Sequence, residues 1–338
     1  MRDPAALRHR GGPSQDETAP VWVLDDPYDR VSDQAIGIAE RLGVPHLRVP
    51  LAWRWNARMV GLSQRGSLRG LLAPGWPFSA PQGPALAISA SPRSEAVALW
   101  LRQGFGTRLV HCGLPRWRGK HFDLLVMPRH LRRQTGPNVL PVLGEPHRLS
   151  PLALSQARVS WAGRLSHLPR PLITLLVGGG NLGGEMRPAA AHALARQVAR
   201  MAAAAGGSIL ATTSPRTGQE ATDALAGGLA SSMHVLYRWG EPGENPYAGM
   251  IALSDITIVT GDSPAMISEA CSGEAPVFIA SLGDRPSHRR LHELLYQAGQ
   301  ARPLGQTLTL WPRSPLDEAG RVATEIRARM SMGPQAVD

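Results

Sequence analysis

The sequence contains few cysteines and no long hydrophobic run. Its two cysteines, Cys112 and Cys271, are too few to stabilise a chain of 338 residues by disulfides. Neither lies in a spacing typical of zinc ligands. No stretch approaches the ~20 apolar residues of a membrane-spanning helix. We therefore expect a cytoplasmic protein that has no metal site and no membrane span.

Lysine is almost absent, since Lys120 is the single one and arginine supplies the remaining basic residues. The 36 basic and 26 acidic residues leave a net charge of +10. A basic surface favours anionic partners such as nucleotides and acidic lipid headgroups. Because the arginines are dispersed and no nucleic-acid-binding motif is present, we expect no nucleic-acid partner.

The N-terminal residues 1–20 lack the apolar core of a signal peptide and predict a disordered polar tail. Segment 51–72 mixes tryptophan and arginine with aliphatic residues. Such a mixture can lie at a membrane interface, which would make the protein peripheral at the inner face of the membrane. The alternative is a loop or helix that covers the N-terminal core.

Short apolar runs alternate with helical patterns along the chain. Examples are VWVL (21–24) and ALAISA (85–90) in the first half, and PLITLLVGGG (171–180) and DITIVTG (255–261) in the second. This alternation is typical of parallel sheets built from βαβ units. We predict an α/β fold with two Rossmann-like doubly wound domains that face a cleft, and a ligand at the carboxyl ends of the strands. The predicted segments are a tail over 1–20 and domains over 21–160 and 161–312. Residues 313–338 are predicted to form a C-terminal helix and a short tail, and this helix can cross back onto the first domain.

A glycine-rich turn follows an apolar strand in the segment LLVGGGNLGGE (175–185). Glycines at such a place let the backbone approach a phosphate closely, so Gly178, Gly179 and Gly180 are candidate nucleotide ligands. The segment is neither a Walker A motif nor a clean dinucleotide-binding fingerprint. A turn that binds no ligand is the alternative.

The segment TTSPRTG (212–218) also follows a strand. Ser214 and Arg216 can bind an anion there, because a guanidinium offers a planar fork of donors to phosphate. The alternative is the capped beginning of a helix.

The most informative segment is VTGDSPAMISEACSGEAPVFI (259–279). Asp262 and Ser263 can cap the helix that follows, and Pro264 fits its first turn. The amides near Ala265 and Met266 would then lie at a helix N-terminus, where an anionic group is favoured.

Two further features suit a nucleoside. Glu269 lies within the first turns of the same helix and can accept two hydrogen bonds from a ribose diol; a solvated helix carboxylate is the alternative. The loop YRWGEPGENPY (237–247) contains Trp239, Asn245 and Tyr247. It can stack on a nucleobase or contact its edge, or it is an ordinary turn with a buried tryptophan.

Candidate catalytic residues lie in the first half. Asp26 belongs to a group of aspartates at a strand-to-helix turn and can act as a general base. His111 lies at a strand end, as does SASPRS (89–94). For each of them a structural role is the alternative.

These segments, in this order, resemble the ELM-type mitochondrial fission family over about residues 21 to 280. The resemblance is carried by GENPY followed by VTGDSPAMISEACSGEAPVFI, and by ISASPRS, FDLLVMP, NVLPVLGEPHRLSP, ITLLVGGG and TTSPRTG. The C-terminal half of that family looks like the donor domain of GT-B glycosyltransferases. The resemblance implies a GT-B-like fold with an N-terminal acceptor domain and a C-terminal nucleotide-sugar domain.

The same resemblance implies roles for individual residues. Glu269 would hold the ribose, and residues 263–266 would meet the diphosphate, with help from residues 178–180 and Ser214. Trp239 and the Asn245 loop would lie near the base. One departure stands out, because the family has a glycine-rich Asp-Gly-Lys-x-Gly turn before a glutamine. Here Asp26 and Gln34 keep that spacing, but the intervening glycines and lysine are replaced by Pro27, Tyr28 and Arg30.

We therefore expect a metal-independent glycosyltransferase that moves a sugar from a nucleotide diphosphate, with UDP favoured, to an acceptor that the sequence does not identify. A lipid-linked or envelope-associated acceptor is one option. No cofactor is expected beyond the donor substrate. The alternatives are a nucleotide-sugar epimerase or hydrolase on the same fold and a non-catalytic interaction protein. The altered N-terminal turn favours the last alternative, whereas the intact Ser-Glu helix argues against it.

Overall fold

The computed structural model describes residues 20–27, 31–54, 66–72, 77–116, 119–131, 135–180, 185–282 and 285–330. Residues 1–19 of the predicted tail therefore lie outside the described residues, as do Tyr28 and Arg30 of the altered turn and residues 331–338. Of the segment with tryptophan and arginine, only the two ends are described. There Trp53 pairs with Leu71 and both are buried in a hydrophobic core, as expected of a segment that covers the N-terminal core.

The first sheet has six strands: β1 (Val21–Asp25), β2 (His46–Pro50), β3 (Leu86–Ser89), β4 (Arg108–Cys112), β5 (Leu124–Pro128) and β6 (Val139–Val142). Their order is β2-β1-β3-β4-β5-β6, with parallel pairing. Helices α1 (Ser32–Leu42) and α2 (Ser94–Phe105) connect strands of this sheet. The central strands are buried on both faces and therefore read as continuous apolar runs.

The second sheet also has six strands: β7 (Leu172–Leu176), β8 (Ser208–Thr212), β9 (His234–Tyr237), β10 (Ile256–Thr260), β11 (Val277–Ala280) and β12 (Arg302–Pro303). The helices of this half are α3 (Pro151–Leu165), α4 (Pro188–Ala205), α5 (Gln219–Leu229), α6 (Tyr247–Leu253), α7 (Pro264–Ala270) and α8 (Pro286–Gln297). The parallel strands follow the order β12-β11-β10-β7-β8-β9. The direction of winding reverses between β7 and β10, where open α/β sheets bind their ligands.

The chain divides into two units. The first comprises Met1–Met127, Gln134–Leu140 and Val322–Asp338, and the second Pro128–Arg133 and Pro141–Arg321. The last helix, α9 (Glu318–Met330), begins in the second unit and continues in the first.

Two helices were not expected from the sequence, α3 and α8. The helix α3 spans residue 160, where the first predicted domain ends. Ser150 caps α3 by accepting a hydrogen bond from the Ala153 amide at 2.7 Å. Trp161 packs closely over Gly249 of α6, where a Cβ atom would lie 2.4 Å from the indole. The predicted domain boundary at residue 160 thus falls inside a helix that belongs to the second unit.

Within the described ranges, no helix combines the length and the hydropathy that crossing a bilayer requires.

Candidate functional site

The candidate site of the second unit lies at the carboxyl ends of β7 and β10, which are neighbours in the sheet. Gly178 and Gly179 follow β7, and Asp262 follows β10. Neighbouring parallel strands end at the same edge of a sheet, so the fold brings together two segments that are more than 80 residues apart in the chain. The sequence predicted both segments as ligand-binding.

Asp262 is a buried carboxylate at the centre of this site, with 2% of its surface exposed. It accepts hydrogen bonds from the Thr260 hydroxyl at 2.7 Å and from the Gly179 amide at 2.8 Å. The Arg216 guanidinium lies 3.3 Å from the same carboxylate. Since charge-assisted hydrogen bonds are the strong ones, Asp262 holds three segments in one arrangement.

The glycine turn is shaped around this carboxylate. A Cβ atom at Gly178 would lie 2.4 Å from Asp262 Oδ1, so only glycine fits there. The Gly178 amide donates to Thr260 Oγ1 at 2.8 Å, and the Gly179 amide donates to Asp262. These two predicted phosphate donors are therefore engaged within the protein. Gly180 completes the described part of the turn, and residues 181–184 lie outside it.

The TTSPRTG loop is bound to the same turn through Thr217. The Thr217 hydroxyl donates to the Gly178 carbonyl at 2.7 Å and accepts from the Ser214 amide at 2.9 Å. Ser214 Oγ accepts from the Arg216 amide at 3.2 Å. The alternative of a helix beginning capped by a side chain is not found in the described part of the chain, because α5 follows Gly218 without a side-chain cap. Ser214 stabilises a turn instead, and the Arg216 side chain remains 37% exposed beside Asp262. The contact between Thr217 and the glycine turn could not be predicted from the sequence, because it joins two segments 39 residues apart.

A cavity of about 470 Å³ lies at the carboxyl ends of β8 and β9. Ser214, Gln219 and Trp239 are among the residues that line it. The Trp239 amide donates to the Thr213 hydroxyl at 2.9 Å, which fixes the backbone, while 56% of the residue remains exposed. The alternative of a buried tryptophan is thus wrong, and the indole offers a flat surface on which a planar group can stack.

Asn245 and Tyr247 have structural contacts in the loop that follows. Asn245 Oδ1 accepts from the Tyr247 amide at 3.0 Å at the beginning of α6. The Tyr247 hydroxyl donates to Glu269 Oε2 at 2.6 Å. Burial, together with the Glu269 carboxylate, raises the pKa of Tyr247 well above its ordinary value. Tyr247 therefore stays protonated and orients Glu269, a role that the sequence did not reveal.

The predicted diphosphate segment forms the beginning of α7. Ser263 Oγ accepts from the Met266 amide at 3.5 Å, and Pro264 occupies the first turn. Ala265 is exposed and Met266 half-buried. These four residues thus form the capped helix start that the sequence predicted.

Glu145 is a titratable residue beside α7 that sequence reasoning missed. Its amide donates to Ser268 Oγ at 2.8 Å, and burial raises the pKa of its carboxyl to about 7. In the sequence, its only distinguishing feature is its place in the segment NVLPVLGEPHRLSP.

In the first unit, Asp26 is 1% exposed and fully engaged. The Ser91 hydroxyl donates to its carboxylate at 2.9 Å, and Arg93 donates through two nitrogens at 3.1 and 3.3 Å. The structure thus brings Asp26 together with the SASPRS segment. A carboxylate bound in this way is poorly suited to removing a proton from a substrate, so the geometry does not support Asp26 as a general base.

His111 lies in the interior of the first unit and is 1% exposed. Its Nδ1 is 2.8 Å from Ser89 Oγ, and its Nε2 is 3.7 Å from a carboxylate oxygen of Glu95. Burial lowers its pKa to about 3, so the imidazole is neutral at physiological pH. This placement favours a structural role over the predicted catalytic one.

Across the described residues, no group of three or more histidine, cysteine, aspartate or glutamate side chains has an arrangement that could hold a metal ion.

Comparison with known proteins identifies the family. A family model described as mitochondrial fission ELM1 matches residues 31–330. The chain belongs to the mitochondrial fission ELM1 family. The mitochondrial fission protein ELM1 of Arabidopsis thaliana is 24% identical over 277 residues, which cover 74% of this chain and 64% of that protein. This ELM1-family chain thus spans less than two thirds of its plant relative.

Solved structures resemble this ELM1-family chain at low sequence identity. The UDP-GlcNAc 2-epimerase of Methanocaldococcus jannaschii is 12% identical, with a TM-score of 0.52. The match covers 93% of this chain and 99% of the epimerase chain. MurG of Acinetobacter baumannii is 14% identical over 92% of each chain, with a TM-score of 0.44. Together with the two parallel six-stranded sheets, the first similarity confirms the predicted GT-B-like class of two Rossmann-like doubly wound folds.

Proposed function

We propose that this ELM1-family chain binds a nucleotide sugar, with UDP as the nucleotide, and transfers the sugar to an acceptor. The observation that carries the proposal is the exposed indole of Trp239 on the wall of the 470 Å³ cavity. An exposed, backbone-anchored tryptophan beside a polar loop is suited to stacking on a nucleobase. The archaeal epimerase of similar fold was solved in complex with UDP-GlcNAc and UDP, which agrees with this choice of ligand.

The order of the strands supports an extended ligand. Trp239 follows β9, the Ser214 loop follows β8, Gly180 follows β7 and Ser263 follows β10, and these strands are successive neighbours in the sheet. Three interstrand spacings amount to about 14 Å, which leaves room for an extended nucleoside diphosphate.

The polar groups along this edge suit the parts of such a ligand. The exposed part of the Arg216 guanidinium and the start of α7 favour negative charge at the diphosphate. Glu269, oriented by Tyr247, is a carboxylate suited to ribose hydroxyls. In this proposal the cationic and dipolar groups stabilise the leaving diphosphate as the bond to the sugar breaks and the acceptor oxygen takes its place.

The first test is thermal stabilisation of the full chain by UDP and UDP-GlcNAc, with ADP as the comparison base. A ligand that binds the native state alone raises the apparent stability. Trp239→Ala should weaken the binding of UDP about tenfold or more, because stacking of one base on an aromatic side chain contributes about 1–3 kcal/mol. In Glu269→Gln the side chain can still accept a hydrogen bond from the Tyr247 hydroxyl, so this variant should weaken UDP binding by a smaller factor.

The matched control is Met233→Ala, because Met233 is equally exposed at 56% and lies in the same unit. It should leave the UDP response unchanged. The absence of any nucleotide response, or equal responses in Trp239→Ala and the unmodified chain, would remove the basis for the proposal. Conversion of UDP-GlcNAc without an acceptor, followed by NMR, would favour an epimerase or hydrolase instead.

A further inference from the structure

A second cavity, of about 440 Å³, lies at the beginning of α8. It is lined by His130, from a short 3-10 helix over Arg129–Leu131, and by residues of α8 that include Arg289, Arg290 and the exposed Glu293. We call it the α8 pocket. All of its lining residues belong to the second unit. Two guanidinium groups against a single carboxylate make the pocket cationic. Burial, together with His288 and His292, lowers the pKa of His130 to about 4, so its imidazole is neutral at physiological pH.

The first turn of α8 adds donors to this pocket. The helix is 12 residues long, begins with Pro286, and has no side chain that caps its first amides among the described residues. The first amides of a helix have no partner within the helix, and the helix dipole favours negative charge there. The pocket thus combines side-chain cations with the favourable end of a helix.

Two residues that line this pocket each have a buried side-chain nitrogen without a hydrogen-bond partner among the described residues. His130 is 6% exposed, and its Nδ1 has no hydrogen-bond partner among the described residues. The buried Nη1 of Arg290 likewise finds no acceptor in the described part of the chain. Because buried polar atoms are almost always hydrogen-bonded, two such nitrogens on residues that line one cationic pocket point to a hydrogen-bonding ligand there.

The α8 pocket is fixed to the same sheet edge as the candidate nucleotide site. His292 Nε2 lies 3.0 Å from the carbonyl of Gly261, which precedes Asp262. The α8 helix follows β11, the neighbour of β10 in the sheet. An anion in this pocket would therefore lie one strand beyond the segment assigned to the diphosphate.

We propose that the α8 pocket is an anion site that binds a phosphate group through Arg289, Arg290 and His130. A planar guanidinium matches the oxygens of phosphate, and the amides of α8 complete the set of donors. The role of this phosphate in the reaction rests on the proposed function. The phosphate belongs either to the nucleotide sugar or to a phosphorylated second substrate, and the experiment separates these sources.

The test is isothermal titration of the full chain with inorganic phosphate. Arg290→Gln and Arg289→Ala should each raise the dissociation constant about tenfold or more, because each removes a charge-assisted contact. The matched control is Arg196→Ala, which removes an exposed arginine of α4 in the same unit, distant in sequence from the pocket. It should leave the affinity unchanged.

Absence of saturable phosphate binding would overturn the proposal, as would equal weakening by Arg196→Ala and Arg290→Gln. Phosphate binding that persists in saturating UDP would support the pocket and assign it to a second substrate. Displacement of phosphate by UDP, with weaker UDP binding in Arg290→Gln, would assign it to the nucleotide sugar. Trp239→Ala should keep phosphate binding, so failure of the nucleotide proposal and failure of this one are distinguishable.

Discussion

Asp262 shows how a single buried charge organises the candidate site. Its carboxylate lies beneath the glycine turn and engages the Gly179 amide, the Thr260 hydroxyl and Arg216. A buried charge is stable only when it is paired and hydrogen-bonded. Asp262 thus stabilises the shape of the site.

Replacing Asp262 by asparagine should therefore destabilise the protein by about 2–4 kcal/mol. The amide nitrogen would face donors that need an acceptor, and Arg216 would lose its partner. The free energy of unfolding from urea denaturation measures the effect. Glu274→Gln is the control, because it breaks an ion pair with Arg158 whose side chains are 47% and 79% exposed, and should cost less than about 1 kcal/mol. Equal costs for the two variants would show that the buried network contributes little.

At the scale of elements, the position of α5 depends on small residues in α4. Gly228 of α5 packs against α4, where a Cβ atom would lie 2.6 Å from Ala195 Cβ and 2.9 Å from the His192 carbonyl. Because α5 begins directly after the TTSPRTG loop, its distance from α4 also sets the position of Ser214. Helix packing is thereby coupled to the candidate site.

Gly228→Ala should destabilise the protein by about 1–3 kcal/mol, since the backbone of α4 cannot move away without repacking. The matched variant is Gly227→Ala on the same helix, where nothing lies within 4 Å of the added Cβ. Alanine favours a helix over glycine, so that variant should be neutral or stabilising by up to about 1 kcal/mol. Thermal unfolding of both variants gives the comparison, and effects of the same sign would contradict the packing argument.

Most elements could be predicted from the sequence, because buried parallel strands are continuous apolar runs that end in glycine or polar turns. The alanine-rich α4 is likewise favoured by its composition, because alanine is the strongest helix former. By contrast, α3 was missed because most of its residues are exposed and only Leu154 and Leu165 are buried. Such a helix lacks the apolar stripe on which prediction depends.

The candidate site was predictable as a set of segments but not as a set of contacts. Parallel strands end at the same edge of a sheet, so the positions of the strand ends predict that Gly178, Ser214 and Asp262 lie in one region. The choice of partner depends on packing between distant segments, so the pairing of Asp26 with Arg93 and the burial of His111 could not be inferred. The hydrogen bond from Tyr247 to Glu269 could not be predicted either, because it also depends on packing between separate segments.

At the scale of the whole molecule, the chain leaves the first unit and returns to it in its last helix. Glu318, at the beginning of α9, accepts a hydrogen bond from the Leu143 amide within the second unit. Farther along, Arg327 donates to the Arg41 carbonyl at 2.9 Å, at the end of α1, where helical carbonyls lack partners. Val322 and Ile326 are fully buried. The first unit is thus completed by residues that are synthesised after the second.

Truncating Ile326 should consequently destabilise the first unit, although the residue lies near the end of the chain. Ile326→Ala should cost about 2–5 kcal/mol and Ile326→Val about 0.5–1.5 kcal/mol, in proportion to the buried volume removed. Hydrogen exchange followed by mass spectrometry locates the loss. Peptides that contain β1 and β3 should lose more protection in Ile326→Ala than in Ile326→Val, because α9 from Val322 onward belongs to their unit. Loss confined to peptides of β7 and β10 would assign the helix to the second unit instead.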